Sequence, residues 1–182
     1  VSVGIIPTAG MMRGVNAGII RVAASKNLSG ISGAALNVFA NGSINGVSVS
    51  GFLTQAGAIS GVSASGIAVA STGGISGFVF GGLAVSSDRS DINGIATSVG
   101  LIFCGNDFTG VGISGLYLRA GSFKGLAMSG YSRSNQMTGI SIALFNSTSK
   151  LNGVQIGLIN YAGNNRKGLR LLPVMNMHLK DK

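Results

Sequence analysis

The amino-acid sequence predicts an all-β chain, a parallel β-solenoid of about 11–12 coils whose repeat is ~16 residues, the coil-on-coil architecture in which each unit covers its neighbour. Three observations predict it. The first is a recurrent glycine at Gly14, Gly30, Gly46, Gly61, Gly77, Gly94, Gly110, Gly125, Gly139, Gly153 and Gly168, with successive gaps of 16, 16, 15, 16, 17, 16, 15, 14, 14 and 15. The second is that the residues around that glycine fall into columns. The third is that apolar stretches are interrupted every few residues by Gly or Ser, which opposes helix throughout.

The columns justify each element of a unit in turn. Two before the glycine stand Met12, Leu28, Ile44, Ile59, Ile75, Ile92, Phe108, Phe123, Met137 and Leu151; only the last unit breaks the series, with Arg166. One before it every unit is polar, and one after it every unit is apolar, from Val15 to Leu169. Three after come mostly apolar residues such as Val49, Phe80, Ile113 and Ile156; two mainly small residues follow, as in Ser50-Gly51 or Gly81-Gly82, and then another apolar one, as at Leu36, Phe52, Leu83 and Ile159. Spacing of two within a segment is the period of a strand with one buried face. Between segments the spacing slips to three, which in a flat strand would turn the buried set outward. The expectation is therefore a bend or bulge at each slip, with glycine supplying the backbone angles, so that stacked Ile, Val, Leu and Phe columns form the core.

Residues 1–165 read as the repeat array. The final unit, Arg166-Lys167-Gly168-Leu169-Arg170-Leu171-Leu172-Pro173, places charge in the buried column and a proline that cannot donate to a ladder, so residues 166–182 read as a C-terminal cap. The chain opens in mid-unit, since Val1-Ser2-Val3-Gly4 matches Val154-Gln155-Ile156-Gly157, and the natural protein is expected to extend upstream. The alternative architecture is an outer-membrane antiparallel β-barrel, because a unit has about the length of one membrane strand plus a turn. Against it stand connectors that do not alternate short and long, few aromatic residues for girdles, and the breaks in phase.

Composition narrows the function. Charged residues are 9%, there are 31 Gly, no Trp and no Glu, and the net charge is +9. A soluble globular domain has about a quarter of its residues charged. No run reaches the ~18 consecutive apolar residues of a membrane helix. The single cysteine, Cys104, excludes an internal disulfide framework and reads as a buried thiol.

The unit Asn152-Gly153-Val154-Gln155-Ile156-Gly157-Leu158-Ile159-Asn160 resembles bacterial surface-repeat proteins built from tandem NGVQIGLIN-like units, and residues 168–179 resemble the close of that family. The close match covers only residues 151–179. The resemblance implies a bacterial envelope location, the outer membrane or cell surface; it implies no activity and no functional residues.

Few side chains point to chemistry. Asp88, Asp91 and Asp107 are the acidic group of note, and Asp91 and Asp107 both precede their glycine by three, so a solenoid would stack them. Stacked carboxylates repel unless a cation such as calcium or Arg89 lies between them. Two solvated loop aspartates are the plainer reading, and no other cofactor is expected. A lone His178 and four Asp cannot assemble a nucleophilic triad or a His-rich metal site. Gly-Gly-Ile-Ser-Gly stretches lack the Lys-Ser/Thr partner of a phosphate loop and read as corners. The column two after the glycine (Asn16, Ser32, Ser48, Ser63, Val79, Ala96 and onward) is small but is no threonine array of the ice-binding kind. Nine of the 13 basic residues fall from Arg119 onward, and Arg166, Lys167, Arg170, Lys180 and Lys182 make a basic end. Such an end attracts anionic surfaces. The expected function is a non-enzymatic surface scaffold whose partners are other envelope proteins or anionic surface components, with membrane association open and neither nucleic acid nor a small-molecule substrate indicated. The alternatives are an integral barrel serving as pore or anchor and a polysaccharide-acting β-helix enzyme using Asp91 and Asp107.

Overall fold

The computed structural model describes residues 1–179; Lys180 and Lys182 of the basic end lie outside the described residues. The chain is a parallel β-solenoid. From Ser2–Gly4 onward each strand pairs in parallel with the equivalent strand one unit later, and the recurrent glycines lie opposite one another: Gly14 with Gly30, Gly30 with Gly46, Gly46 with Gly61, Gly61 with Gly77, Gly77 with Gly94, Gly94 with Gly110 and Gly110 with Gly125. Because neighbouring units run in the same direction, the antiparallel barrel is not what this chain forms.

Each coil has two strand segments. One carries the glycine, as in Leu28–Ala34 or Ile75–Gly81; the other is shorter, as in Arg21–Ala24, Ala68–Ser71 or Ala84–Ser87, and builds a second parallel ladder behind the first. Two corners join them. The front corner consists of the fifth and sixth residues after the glycine, and the return corner leads from the short segment to the next unit. The return corner absorbs the variation in repeat length over the first coils: two residues separate Ala56 from Ile59, and four separate Ser87 from Ile92.

The glycine works as the sequence suggests in one respect and against it in another. All eleven, Gly14 through Gly168, have φ between 82° and 152°, the left-handed half of the map that side chains avoid. A Cβ at Gly110 would overlap the carbonyl oxygen of Gly94, and one at Gly153 that of Gly139, so the column admits only hydrogen. The strand nevertheless runs straight through the glycine without a corner. The bend expected there does not occur, and the pleat keeps its count. The residues two before, two after and four after the glycine therefore face inward, while those one and three after face outward.

The core follows from that parity. Met12, Leu28, Ile44, Ile59, Ile75, Ile92, Phe108, Phe123, Met137 and Leu151 are all buried, opposed by Val22, Val38, Val69, Val85, Ile102 and Leu118 from the short ladder. The column two after the glycine is buried as well, so it is no exposed face of the ice-binding kind: Asn16, Ser32, Ser48, Ser63, Val79, Ala96, Ala127, Ser141 and Gln155 line the interior. Volumes compensate within a level. Where the inward residue is Phe108, stacked on Phe123 at 4.6 Å, the residue four later is Gly112, whose Cβ would press on Leu118 and both rings.

The last unit does not stack in parallel. Gly168 has open space around it, and Leu171–His178 turns back to pair antiparallel with residues 153–161, His178 opposite Gly153 and Leu171 opposite Tyr161. Ten glycines stand in the column rather than the eleven of the sequence, because Arg166 and Arg170 cannot enter the two inward positions and are exposed instead.

Candidate functional site

The interior holds more polar chemistry than the surface of the main ladder. Buried hydroxyls bridge successive coils: Ser48 Oγ donates to Ser63 Oγ at 2.9 Å, and the Ser50 and Ser65 hydroxyls lie 2.9 Å apart. In the last coils the motif asparagine takes over. Asn146 accepts from Ser141 Oγ at 2.6 Å and donates to Asn160 Oδ1 at 2.8 Å and the Ile156 carbonyl at 3.0 Å. Asn176 of the capping strand completes the column, donating to the backbone carbonyls of Asn160, Leu169 and Arg170. These groups satisfy one another and present nothing to a ligand, so they hold coils in register rather than carry out chemistry.

The outer face is the reverse. Val15, Ile31, Val47, Val62, Phe78, Ile95 and Ile140, one after the glycine, are exposed, as are Val49, Phe80, Ile113, Met128, Ile142 and Ile156, three after it. The front corner adds Phe52, Leu83, Val99, Leu116, Leu144 and Leu158. Ten levels at ~4.8 Å and five residues at ~3.3 Å give a face of about 800 Å². The largest apolar patch on an ordinary monomer is about 300–600 Å². The capping strand extends it: Met177 lies opposite Val154 and Met175 opposite Ile156, so the two outer columns continue across the reversed strand while Asn176 between them turns inward. These outer residues are the surface feature that hydropathy alone misassigns, since it places them in the core. The signal that would have found them is parity with the column two before the glycine.

Over the last four levels the face is concave. A groove of about 680 Å³ runs between Ile113, Met128, Ile142 and Ile156 on one side and Leu144 and Leu158 on the other, floored by small residues such as Ser129 and Gly157. Val174 of the capping strand closes its end with φ at 64°, a left-handed conformation rare for a β-branched residue and costing about 1–3 kcal/mol.

The acidic residues singled out in the sequence sit at the return corner, away from this face. Asp91 Oδ1 accepts the backbone N–H of Asp107 at 3.2 Å, and Asp88 accepts from Ser86 Oγ at 3.0 Å; all three are exposed. Stacking does bring Asp91 and Asp107 together, but through a backbone hydrogen bond. Among the described residues no three His, Cys, Asp or Glu side chains gather to hold a metal ion. A polar groove of about 390 Å³ lies beside them, lined by Arg89, Ser90, Asp91, Asn93 and Asn106. Cys104 is buried, its Sγ 3.5 Å from the Ser90 carbonyl and 3.4 Å from that of Asp107; burial pushes its pKa up to about 11, and Asp91 and Asp107 add to the rise. His178 Nδ1 pairs with Asn165 Oδ1 at 2.7 Å within the cap. Of the basic end, Arg166, Lys167 and Arg170 are exposed, and Arg170 Nε donates to the Asn165 carbonyl at 3.0 Å. No protein-family model, no curated protein and no solved structure matches this chain.

Proposed function

We propose that this chain is a non-enzymatic interaction scaffold of the bacterial cell envelope, at the outer membrane or cell surface, which works by binding along its outer apolar face. The observation that carries the reading is the run of outward Val, Ile and Phe over ten levels with no charged residue among them. Lateral stacking between rungs favours β-branched residues in such columns even without a partner. It does not account for the leucines of the front corner, which project beyond the ladder, nor for methionines that restore both columns on a strand of opposite direction. The resemblance of residues 151–179 to NGVQIGLIN-type surface repeats supports the envelope location, and the exposed Arg166, Lys167 and Arg170 suit an anionic component of that surface.

The test is fractionation of a bacterium exporting the chain. The chain is expected with the envelope, released fully by detergent and only in part by high salt. The triple substitution Val62→Ser, Phe78→Ser and Ile95→Ser is expected to move it to the soluble fraction with an unchanged circular dichroism spectrum. Recovery of the unsubstituted chain among soluble exported proteins would overturn the reading.

A further inference from the structure

We propose that the front corner is a membrane-docking ridge, entering the surface of a bilayer that bears anionic lipids; this rests on the scaffold reading above and names its partner. Shape is the first support. Leu83, Leu116 and Leu158 are 60%, 67% and 63% exposed, more than the outward residues of the flat ladder beside them, because they stand on a convex edge where one ladder turns into the other. A flat face can be covered by a second flat face. A convex apolar edge is covered on all sides only by something that flows around it, as lipid does.

Charge is the second support. Every acidic residue among the described ones, Asp88, Asp91 and Asp107, sits at the return corner, and none lies on the glycine ladder, the front corner or the short ladder. Cations stand beside the ridge on the short-ladder side instead, at Arg21, Arg119 and Arg133, whereas Arg13 and Lys124 lie at the far end of the glycine strand. Arg21 lies over the Phe39 ring at 4.6 Å and Arg119 over Phe103 at 5.4 Å, which holds the guanidiniums close to the surface while leaving their charge available. Set back from an apolar edge, such side chains reach headgroups as the edge sinks in. A second copy of this chain would carry the same net charge of +9 and, docking flat face to flat face, would leave the corner uncovered.

Flotation of the purified chain with vesicles of phosphatidylcholine, alone or mixed with phosphatidylglycerol, tests the proposal. Binding is expected on the mixed vesicles, at least tenfold weaker on phosphatidylcholine alone, and weakened by salt. The variant Leu83→Gln, Leu116→Gln, Leu158→Gln is expected to lose at least tenfold in binding while its melting curve stays unchanged, because these side chains leave the core untouched. Arg119→Gln with Arg133→Gln is expected to weaken binding to the mixed vesicles by about fivefold per cation removed. Exposed polar positions on the glycine ladder serve as the control, and Ser60→Gln with Ser76→Gln is expected to bind as the unsubstituted chain does. Failure of the unsubstituted chain to float, or equal flotation of the leucine variant, overturns the proposal. If the chain fractionates with the envelope yet ignores vesicles, the scaffold reading stands and a protein partner replaces lipid. Concentration-dependent dimerisation without vesicles, abolished by the leucine substitutions, would likewise overturn it in favour of a second copy.

Discussion

Ile92 and Ile95 are the same residue type, three positions apart on the strand Ile92–Ser98, and they have opposite environments. Ile92 is fully buried and Ile95 is 43% exposed. Between them stands Gly94 with φ at 129°. The strand passes through that glycine without turning, so an odd separation still reverses the side from which a side chain projects. The pair therefore shows that in this chain hydropathy does not decide what is inside. The pleat does, and the narrow interior then selects residues by volume and hydrogen bonding while the outside is left to large apolar ones.

The most damaging way to break that arrangement is to remove the glycine that permits it. Gly110→Val is expected to cost more than about 3 kcal/mol, combining backbone strain at φ 129° with overlap of the added carbon on the Gly94 carbonyl. Gly168→Val, at φ 92° but with nothing near it, is expected to cost only the strain, about 1–2 kcal/mol. Urea unfolding of both variants checks the difference; equal losses would mean that stacking of the column contributes nothing.

Next comes the pair itself. Ile92→Ala is expected to destabilise by about 2–5 kcal/mol, as deletion from a packed core does. Ile95→Ala is expected to cost less than about 1 kcal/mol, because only contacts with the rungs above and below are lost. Similar melting temperatures for the two would contradict the inside and outside assigned here.

This comparison also explains how far the sequence could be read. The coil spacing, the parallel stacking and the glycine column were legible because like residues must lie on like, and a column of Gly14 to Gly153 leaves its period in the text. The departure at Arg166 was legible for the same reason, since an arginine cannot fill the slot of Leu151. The column two before the glycine was read as buried and is; the side on which the columns after the glycine lie was not legible. The outer columns are more apolar than the buried Ser48 and Ser63, so burial inferred from hydropathy points the wrong way. Glycine was credited with a bend, although its left-handed φ there preserves the alternation. Counting in steps of two from Ile44 through Gly46 to Ser48 and Ser50 would have recovered the inward set. The acidic pair was placed correctly at neighbouring levels, but what Asp91 meets there is a backbone N–H.

A smaller effect tests whether polar groups in that interior hold coils together. Asn146→Ala removes hydrogen bonds to Ser141, Asn160 and two backbone carbonyls, Ala143 and Ile156, leaving buried partners unmatched. The expected cost is about 1–3 kcal/mol. Asn146→Leu is expected to be no better, since the unmatched groups remain whatever apolar volume replaces the amide. A leucine variant more stable than the parent would show that the ladder serves some purpose other than stability.

The smallest effect at neutral pH, Cys104, separates inside from outside by chemistry instead of packing. Burial first, and then Asp91 and Asp107, push its thiol from the ordinary 9.0 up to about 11 in the fold. Between those values the unfolded chain releases the proton and the folded chain keeps it. Stability linked to this group is therefore constant below pH 9 and declines as pH rises toward 11, by an amount on the order of 2–3 kcal/mol. The difference in urea midpoint between the unsubstituted chain and Cys104→Ala isolates this contribution from lysines and tyrosines that titrate in the same range. It is expected to be flat below pH 9 and to shift against the cysteine form above it. In the same range of pH the folded thiol is expected to react with iodoacetamide far more slowly than in urea, because neither thiolate nor access is available. A folded chain that alkylates as fast as the unfolded one would place Cys104 on the surface, and with it the whole inward set of the short ladder that shares its parity.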